Sequence, residues 1–195
     1  MVRKRSFRRV LQLVALLNVA YFGFEFAVAL AIGSVSLLAD SIDFLEDASV
    51  NILILMALGW SAVRRAQVGM ALAVILLIPG LATLWTAWNK LQLPLPPAPV
   101  ALSAAGAGAL IVNLTCASML VRYREHHGSL TRAAFLSARN DVFANIAIVV
   151  AGLLTAYTNS AWPDLIVGLA IAAMNAGAAR EVWQAARSEH RAARS

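Results

Sequence analysis

Long apolar runs separated by short polar segments make up most of this chain of 195 residues. Each run has roughly the 20 residues that an α-helix needs to cross the hydrocarbon core of a bilayer. Prolines and glycines between the runs favour short connections. The pattern predicts an all-α integral membrane protein with six transmembrane helices, at about residues 10–32, 35–58, 68–89, 100–121, 133–157 and 162–180.

Composition and charge agree with this prediction. The chain is 61% hydrophobic and 13% charged, against about 45–50% and about 25% in soluble domains. Fourteen of the 16 Lys and Arg residues fall on the side of the predicted membrane where the amino terminus of the chain lies. Because basic residues favour the cytoplasmic side of a membrane, both termini are expected in the cytoplasm. The chain is expected to consist of a transmembrane domain at 1–180 and a short basic cytoplasmic tail at 181–195. The net charge of +6 therefore reflects membrane topology, and no nucleic-acid partner is expected.

The six spans divide into two similar halves of three helices. A shift of 94 positions places Glu46, Asp47 and Asn51 onto Asn140, Asp141 and Asn145. With three spans per half, the halves have opposite orientations in the membrane. This arrangement is typical of transporters whose binding site lies at the repeat interface.

Span two contains "ADSIDFLEDASVN", with four of the ten acidic residues of the chain. At 100° per residue, Asp40, Asp43, Asp47 and Asn51 share one face of a helix, with Glu46 on its flank. A charge at the centre of a transmembrane helix costs roughly 2.5–3.5 kcal/mol, which favours a functional reading of Asp43 and Asp47. Asp40, nearer the outer end, either joins this group or faces water.

Span five repeats the pattern with Ser137, Asp141 and Asn145 at four-residue steps. If the two faces meet, Asp43, Asp47 and Asp141 converge near the middle of the bilayer. Three carboxylates in a low dielectric need a compensating cation. A divalent metal ion or protons would supply the compensation, and alternation between them would couple the two movements.

Three stretches resemble a known family of membrane proteins. They are "NVAYFGFEFAVALAIGSVSLLADSIDFLEDASVN", "RAAFLSARNDVFANIAIVVAGLL" and "WPDLIVGLAI". They are similar to spans one and two, span five and span six of the cation diffusion facilitator family, and the likeness extends over about residues 12–180. The resemblance implies a metal/proton antiporter that exports a divalent metal ion from the cytoplasm, in a multi-pass, bacterial inner (plasma) membrane location.

In that family, two H/D-x-x-x-D pairs form a four-ligand metal site. Carried over by position, the pairs are Asp43 with Asp47 and Ser137 with Asp141, so a serine stands where the family has His or Asp. The favoured candidates for the fourth ligand are Asn145 and Asn51, which continue the same stripe, beside Ser137 itself. Asn140, Glu46 or a water molecule could also fill this position. An all-oxygen ligand set favours Mn²⁺ or Fe²⁺, with Zn²⁺ and Co²⁺ as further candidates.

Many relatives carry a cytoplasmic metal-binding domain after span six. Because this chain ends about fifteen residues after that span, we expect a short form without that domain. A homodimer would then form through the transmembrane helices.

Five further polar or reactive residues in the spans also carry expectations. Asn18 and Glu25 lie two turns apart on one face of span one and either hydrogen-bond a neighbouring span or, for Glu25, handle protons. Glu46 is a second candidate for the proton pathway. Arg139 is expected to extend towards the cytoplasmic headgroups. The single cysteine, Cys116, is expected to pack as an apolar thiol and excludes an intrachain disulfide.

Two other functions compete with transport. One is a non-transporting membrane subunit that keeps the fold after losing a ligand at Ser137. The other is an intramembrane aspartyl protease with Asp47 and Asp141 as its dyad, although neither lies in a "GxGD" or "YD" setting. The sequence has no P-loop and no nucleophile elbow, so no enzyme activity is expected.

Overall fold

A computed structural model describes residues 2–57, 81–123 and 129–175. These residues are helical apart from short connections, and no β-strand occurs among them. The all-α prediction is therefore confirmed. The tail at 181–195 and parts of predicted spans three and six lie outside the described residues. The helices are α1 (Val2–Ile32), α2 (Val35–Ala57), α3 (described over 81–92), α4 (Pro99–Leu120), α5 (Ser129–Thr158) and α6 (described over Trp162–Asn175).

Three of the described helices are long and apolar enough to cross a membrane, over Phe7–Ile32, Pro99–Leu120 and Ser137–Thr158. The α2 helix has 23 residues, about 34 Å at 1.5 Å per residue, which is also sufficient length. Its four acidic residues distinguish it from these three spans, none of which has more than one. A helix of this kind can cross a membrane only if its polar face is covered by protein.

The helices pair in the same way in both halves of the chain. The α1 helix packs against α2 and α4 against α5, while α1 also contacts α4 and α2 contacts α5. The 94-residue shift relates α1 to α4 and α2 to α5, so this pairing agrees with the predicted repeat. The polar face of α2 is brought against α5 by the same arrangement.

The turn between α1 and α2 follows from three residues, "IGS". Gly33 has a φ of 64°, a left-handed conformation that ends a helix and suits glycine. The Ser34 amide then donates to the Ala29 carbonyl at 2.9 Å. The Ser34 hydroxyl accepts from the Leu37 amide at 3.2 Å, so the serine caps the first turn of α2.

Two apolar clusters lie at different depths in the bundle. One contains Phe7, Leu11, Val14, Ile54, Cys116 and Leu120, and the other contains Ala29, Leu37, Leu38, Leu102, Ala105, Ile148 and Ile171. Cys116 is fully buried in the first cluster, as predicted. Between the two clusters lies a layer of buried polar side chains, namely Asn18, Glu25, Asp40, Asp47, Asn51, Asn113 and Asn145.

We predict that Gly168→Ala lowers the apparent melting temperature of the protein in detergent. A Cβ at this position would lie 2.6 Å from the Ser36 amide nitrogen and 2.6 Å from the Val35 carbonyl carbon. Because both are backbone atoms, α6 must move away from α2, at a typical overpacking cost of about 1–3 kcal/mol.

Gly23→Ala is the matched control, because no atom lies within 4 Å of its added Cβ. This substitution should be neutral or stabilising, since alanine favours a helix interior by about 1 kcal/mol over glycine. Equal melting temperatures for the two variants would contradict close α2–α6 packing at Gly168.

Candidate metal-binding site

A cavity of about 210 Å³ lies between α2, α5 and α6. The α2 helix contributes Asp43 and Glu46, and α5 contributes Ser137 and Asp141. The lining is completed by Asn140, Met174 and Asn175. Acidic side chains from both halves of the chain therefore face one space.

Asp47 lies one helical turn beyond Asp43 and is almost completely buried. The Ser137 side chain of α5 lies near its carboxylate, beside the cavity. Asp141 interacts electrostatically with both Asp43 and Asp47. In the described part of the chain, however, no three His, Cys, Asp or Glu side chains stand close enough to hold one ion.

Asn145 belongs to a hydrogen-bond chain deeper in the bundle. Its amide donates to Asp40 Oδ2 at 2.7 Å, and its oxygen accepts from Asn113 Nδ2 at 3.0 Å. All three side chains are buried, so the alternative in which Asp40 faces water is wrong. Helix pairing explains the difference, because α5 covers the outer part of the polar face of α2.

Asn51 lies at the other end of that polar face. Its amide donates to the Asp47 carbonyl within α2 at 2.7 Å. Its side-chain oxygen is buried and has no hydrogen-bond partner among the described residues. Of the candidates for the fourth ligand, Ser137, Asn140 and Glu46 line the cavity, whereas Asn51 and Asn145 are not among its described lining residues.

Glu25 approaches the same layer from α1 and is fully buried. Within the described ranges, no N–H or O–H group donates to either of its carboxyl oxygens. Its carboxyl group lies near that of Asp40, and the two interact electrostatically. Two neighbouring carboxyl groups can share a hydrogen bond only when one carries a proton, so this pair is suited to holding a proton.

Asn18 and Arg139, two other polar residues of the spans, differ in burial and in hydrogen bonding. Asn18 is fully buried, and neither of its amide atoms has a hydrogen-bond partner in the parts of the chain described. The expected bond from Asn18 to a neighbouring span is therefore not found there. Arg139 is exposed and donates to the adjacent Asn140 side chain at 3.4 Å, as expected for a side chain directed away from Asp141.

Sequence reasoning missed a polar cluster at the outer end of the bundle, centred on Asp164 of α6. Asp164 accepts hydrogen bonds from the hydroxyl groups of Ser34 and Ser36, at 2.6 and 2.7 Å. It also forms an ion pair with Lys90 of α3 at 2.8 Å. The available signal was that Lys90 is the one basic residue between spans on the outer side, while Asp164 begins an apolar span.

A polar layer closed between apolar layers, with ionisable side chains facing one cavity, is typical of membrane proteins that move ions. The family model of the cation efflux transmembrane domain matches residues 11–188. The chain therefore belongs to the cation efflux family, the cation diffusion facilitators, and is an integral-membrane cation transporter. Members of this family are transporters and not enzymes. No curated protein matches the chain.

Proposed function

We propose that the protein exports a divalent metal ion from the cytoplasm in exchange for protons. The metal ion would bind to Asp43, Asp47, Asp141 and the Ser137 hydroxyl. The observation that carries this proposal is the cavity between α2 and α5, which Asp43, Ser137 and Asp141 line. A dication between the helices would offset the charge of carboxylates that are otherwise costly inside a membrane.

The donor set defines the class of metal ion. Carboxylate and hydroxyl oxygens are hard ligands, and the described residues that line this cavity include no histidine or cysteine. Hard oxygen ligands suit Mn²⁺ and Fe²⁺ better than the nitrogen- and sulfur-rich sites typical of Zn²⁺. We therefore place Mn²⁺ and Fe²⁺ before Zn²⁺ and Co²⁺ as cargo. Since the ligands come from two helices, α2 and α5 would close around the ion when it binds.

The counter-transported proton has a separate place in this proposal. Glu25 and Asp40 meet without another donor to Glu25 among the described side chains, so one of them would carry a proton in the metal-free state. Asn145 joins Asp40 to α5, the helix that carries Asp141. Proton release from the pair would thus accompany metal binding at the neighbouring carboxylates. Glu46, on the cavity wall, would exchange protons with the cytoplasm.

We predict that Asp47→Asn and Asp141→Asn each reduce metal transport into proteoliposomes by more than about tenfold. Loss of a metal-binding group or of its support commonly costs 10–100-fold in affinity or activity. The measurement is uptake of Mn²⁺, Fe²⁺, Zn²⁺ and Co²⁺ with simultaneous recording of internal pH.

Ser118→Ala is the control for this experiment, since Ser118 is exposed and bonds only within α4. Activity of both Asn variants equal to that of the control would rule out the assigned ligands. Absence of specific metal binding by the wild-type protein would instead favour a non-transporting subunit.

A second prediction concerns metal selectivity. Ser137→His should shift the preference from Mn²⁺ and Fe²⁺ towards Zn²⁺, because imidazole is a good zinc ligand and a poorer partner for hard ions. Ser137→Asp should strengthen binding while keeping the preference for hard ions. Competition between metals during uptake measures both effects. An unchanged order of metal preference in both variants would show that Ser137 is not a ligand.

A third prediction separates proton from metal. Glu25→Gln keeps the shape of the side chain but cannot release a proton, so metal binding should stay within about twofold of wild type, well under 1 kcal/mol, while proton counter-flow falls. Isothermal titration gives the metal affinity, and a pH-sensitive dye inside vesicles gives the proton flux. Normal coupling in this variant would exclude Glu25 as the proton carrier.

A further inference from the structure

The polar face of α2 continues beyond the cavity to the outer end of the bundle. On the helix, Ser36 lies at about 20° from the direction of Asp43, and Asp40 at about 60°. Ser36 and Asp40 are both completely buried. A continuous polar strip therefore runs along α2 from the carboxylates of the cavity, through Asp40, to the first turn of the helix.

Asp164 of α6 covers the outer end of this strip. Its Oδ1 atom accepts from Ser34 Oγ at 2.6 Å, Ser36 Oγ at 2.7 Å and the Ser36 amide at 3.1 Å. Its Oδ2 atom accepts from the Val35 amide at 3.0 Å. A carboxylate bound to the free amides of a helix N-terminus is also stabilised by the helix dipole. These contacts hold α6 against the start of α2.

Lys90 completes the cluster from α3. Its ammonium group lies 2.8 Å from Asp164 Oδ2, and the two side chains are 6% and 0% exposed. Breaking a buried ion pair by removing one partner is strongly destabilising, because the other charge is left uncompensated. The contacts of Asp164 to α2 and to α3 are thus expected to form and break together.

The two ends of the strip differ in burial. Every residue of α2 from Val35 to Ala39 is completely buried. Asp43 and Glu46, one to two turns further along, are only partly buried and line the cavity. Among the described residues, the carboxylate site is therefore closed on the outer side and open on the side away from Asp164.

We propose that Lys90, Asp164, Ser34 and Ser36 form the outer closure of the transport path, which we call the outer latch. The latch holds the state in which the carboxylate site faces the cytoplasm, and it must open before cargo leaves on the other side. Its members are positioning residues, since none of them lines the cavity that would hold the cargo. The inference rests on the proposed transport function for its purpose, but the latch itself can be tested without knowing the metal.

Opening is feasible because the latch lies at the ends of the helices. Lys90 is near the end of α3 and Asp164 is in the first turn of α6, so both groups can regain water when they separate. Net hydrogen-bond energies are small when water replaces the lost partner. The latch can therefore close the path firmly without preventing its opening during transport.

The test is cysteine labelling in oriented vesicles, with two reporter positions in a Cys116→Ala background. Ala39→Cys, one turn inward of Ser36 and fully buried, reports opening to the outer side. Met174→Cys, on the cavity wall, reports access from the cytoplasmic side. A membrane-impermeant maleimide is applied to one side at a time, with Lys90→Met as the test variant and Lys90→Arg as its charge-conserving control.

Lys90→Met should raise outer labelling of Ala39→Cys by about tenfold, which corresponds to about 1.4 kcal/mol of lost closure. The same variant should lower cytoplasmic labelling of Met174→Cys, because the two states share one population. Lys90→Arg should restore both rates towards wild type. A purely structural role would not produce this reciprocal change.

Unchanged labelling in Lys90→Met, or a rise at both reporters together, would overturn the outer latch. If Lys90→Met fails to insert, Ser36→Ala removes one hydrogen bond to Asp164 and should raise outer labelling by about threefold. No rise in that variant would also overturn it. Asp47→Asn separates this inference from the metal site: a transport-active Asp47→Asn would overturn the proposed ligand, while the labelling of Lys90→Met would still decide the outer latch.

Discussion

Burial of carboxyl groups at membrane depth is the constraint on which this structure depends. A lone charge there is costly, and an acidic helix such as α2 is stable only when other helices cover its polar face. The α1 and α5 helices provide that cover, and apolar clusters close the bundle on both sides of the polar layer. The fold is therefore arranged around α2, and the other described helices pack so that its polar strip is covered.

The charge of the buried carboxylates is compensated differently at three positions along the polar strip of α2. At the cavity, Asp43 is partly accessible and faces Asp141 across the space between two helices, an arrangement suited to a mobile dication. One turn outward, Asp40 meets Glu25 and an asparagine, where a proton is the simplest compensation. At the outer end, Asp164 has a resident cation in Lys90. In the proposed mechanism, exchangeable compensation would thus lie inside the path and permanent compensation at its end.

This gradation gives a physical basis for coupling. In the proposed mechanism, a cation between α2 and α5 would change the electrostatic environment of Asp40, which is bonded to α5 through Asn145. The same helix α2 is held by Asp164 at its start. A change in charge at the cavity can therefore reach both the proton pair and the outer latch through one rigid element, without a long chain of side-chain rearrangements.

Local regularities determined much of this from the sequence. Hydrophobic period and length predicted the helices, "IGS" encoded the tight turn at Gly33, and four-residue spacing placed Asp43 and Asp47 on one face of α2. Each of these depends on residues close in the chain, where helix geometry alone fixes the relation. The family resemblance extended this reading to α5, and the match over residues 11–188 confirmed the family.

Only the tertiary structure decided which distant groups meet. Asp164 finds its partners about 130 residues earlier in the chain, at Ser34 and Ser36, and 74 residues earlier at Lys90. Asn145, one of the sequence-based candidates for a ligand, is instead bonded to Asp40. Helical periodicity gives the direction of a side chain around its own axis, but the rotation and depth of one helix against another follow from packing of the whole bundle. For that reason the sequence determined the polar face of α2, and the tertiary structure decided what each part of that face contacts.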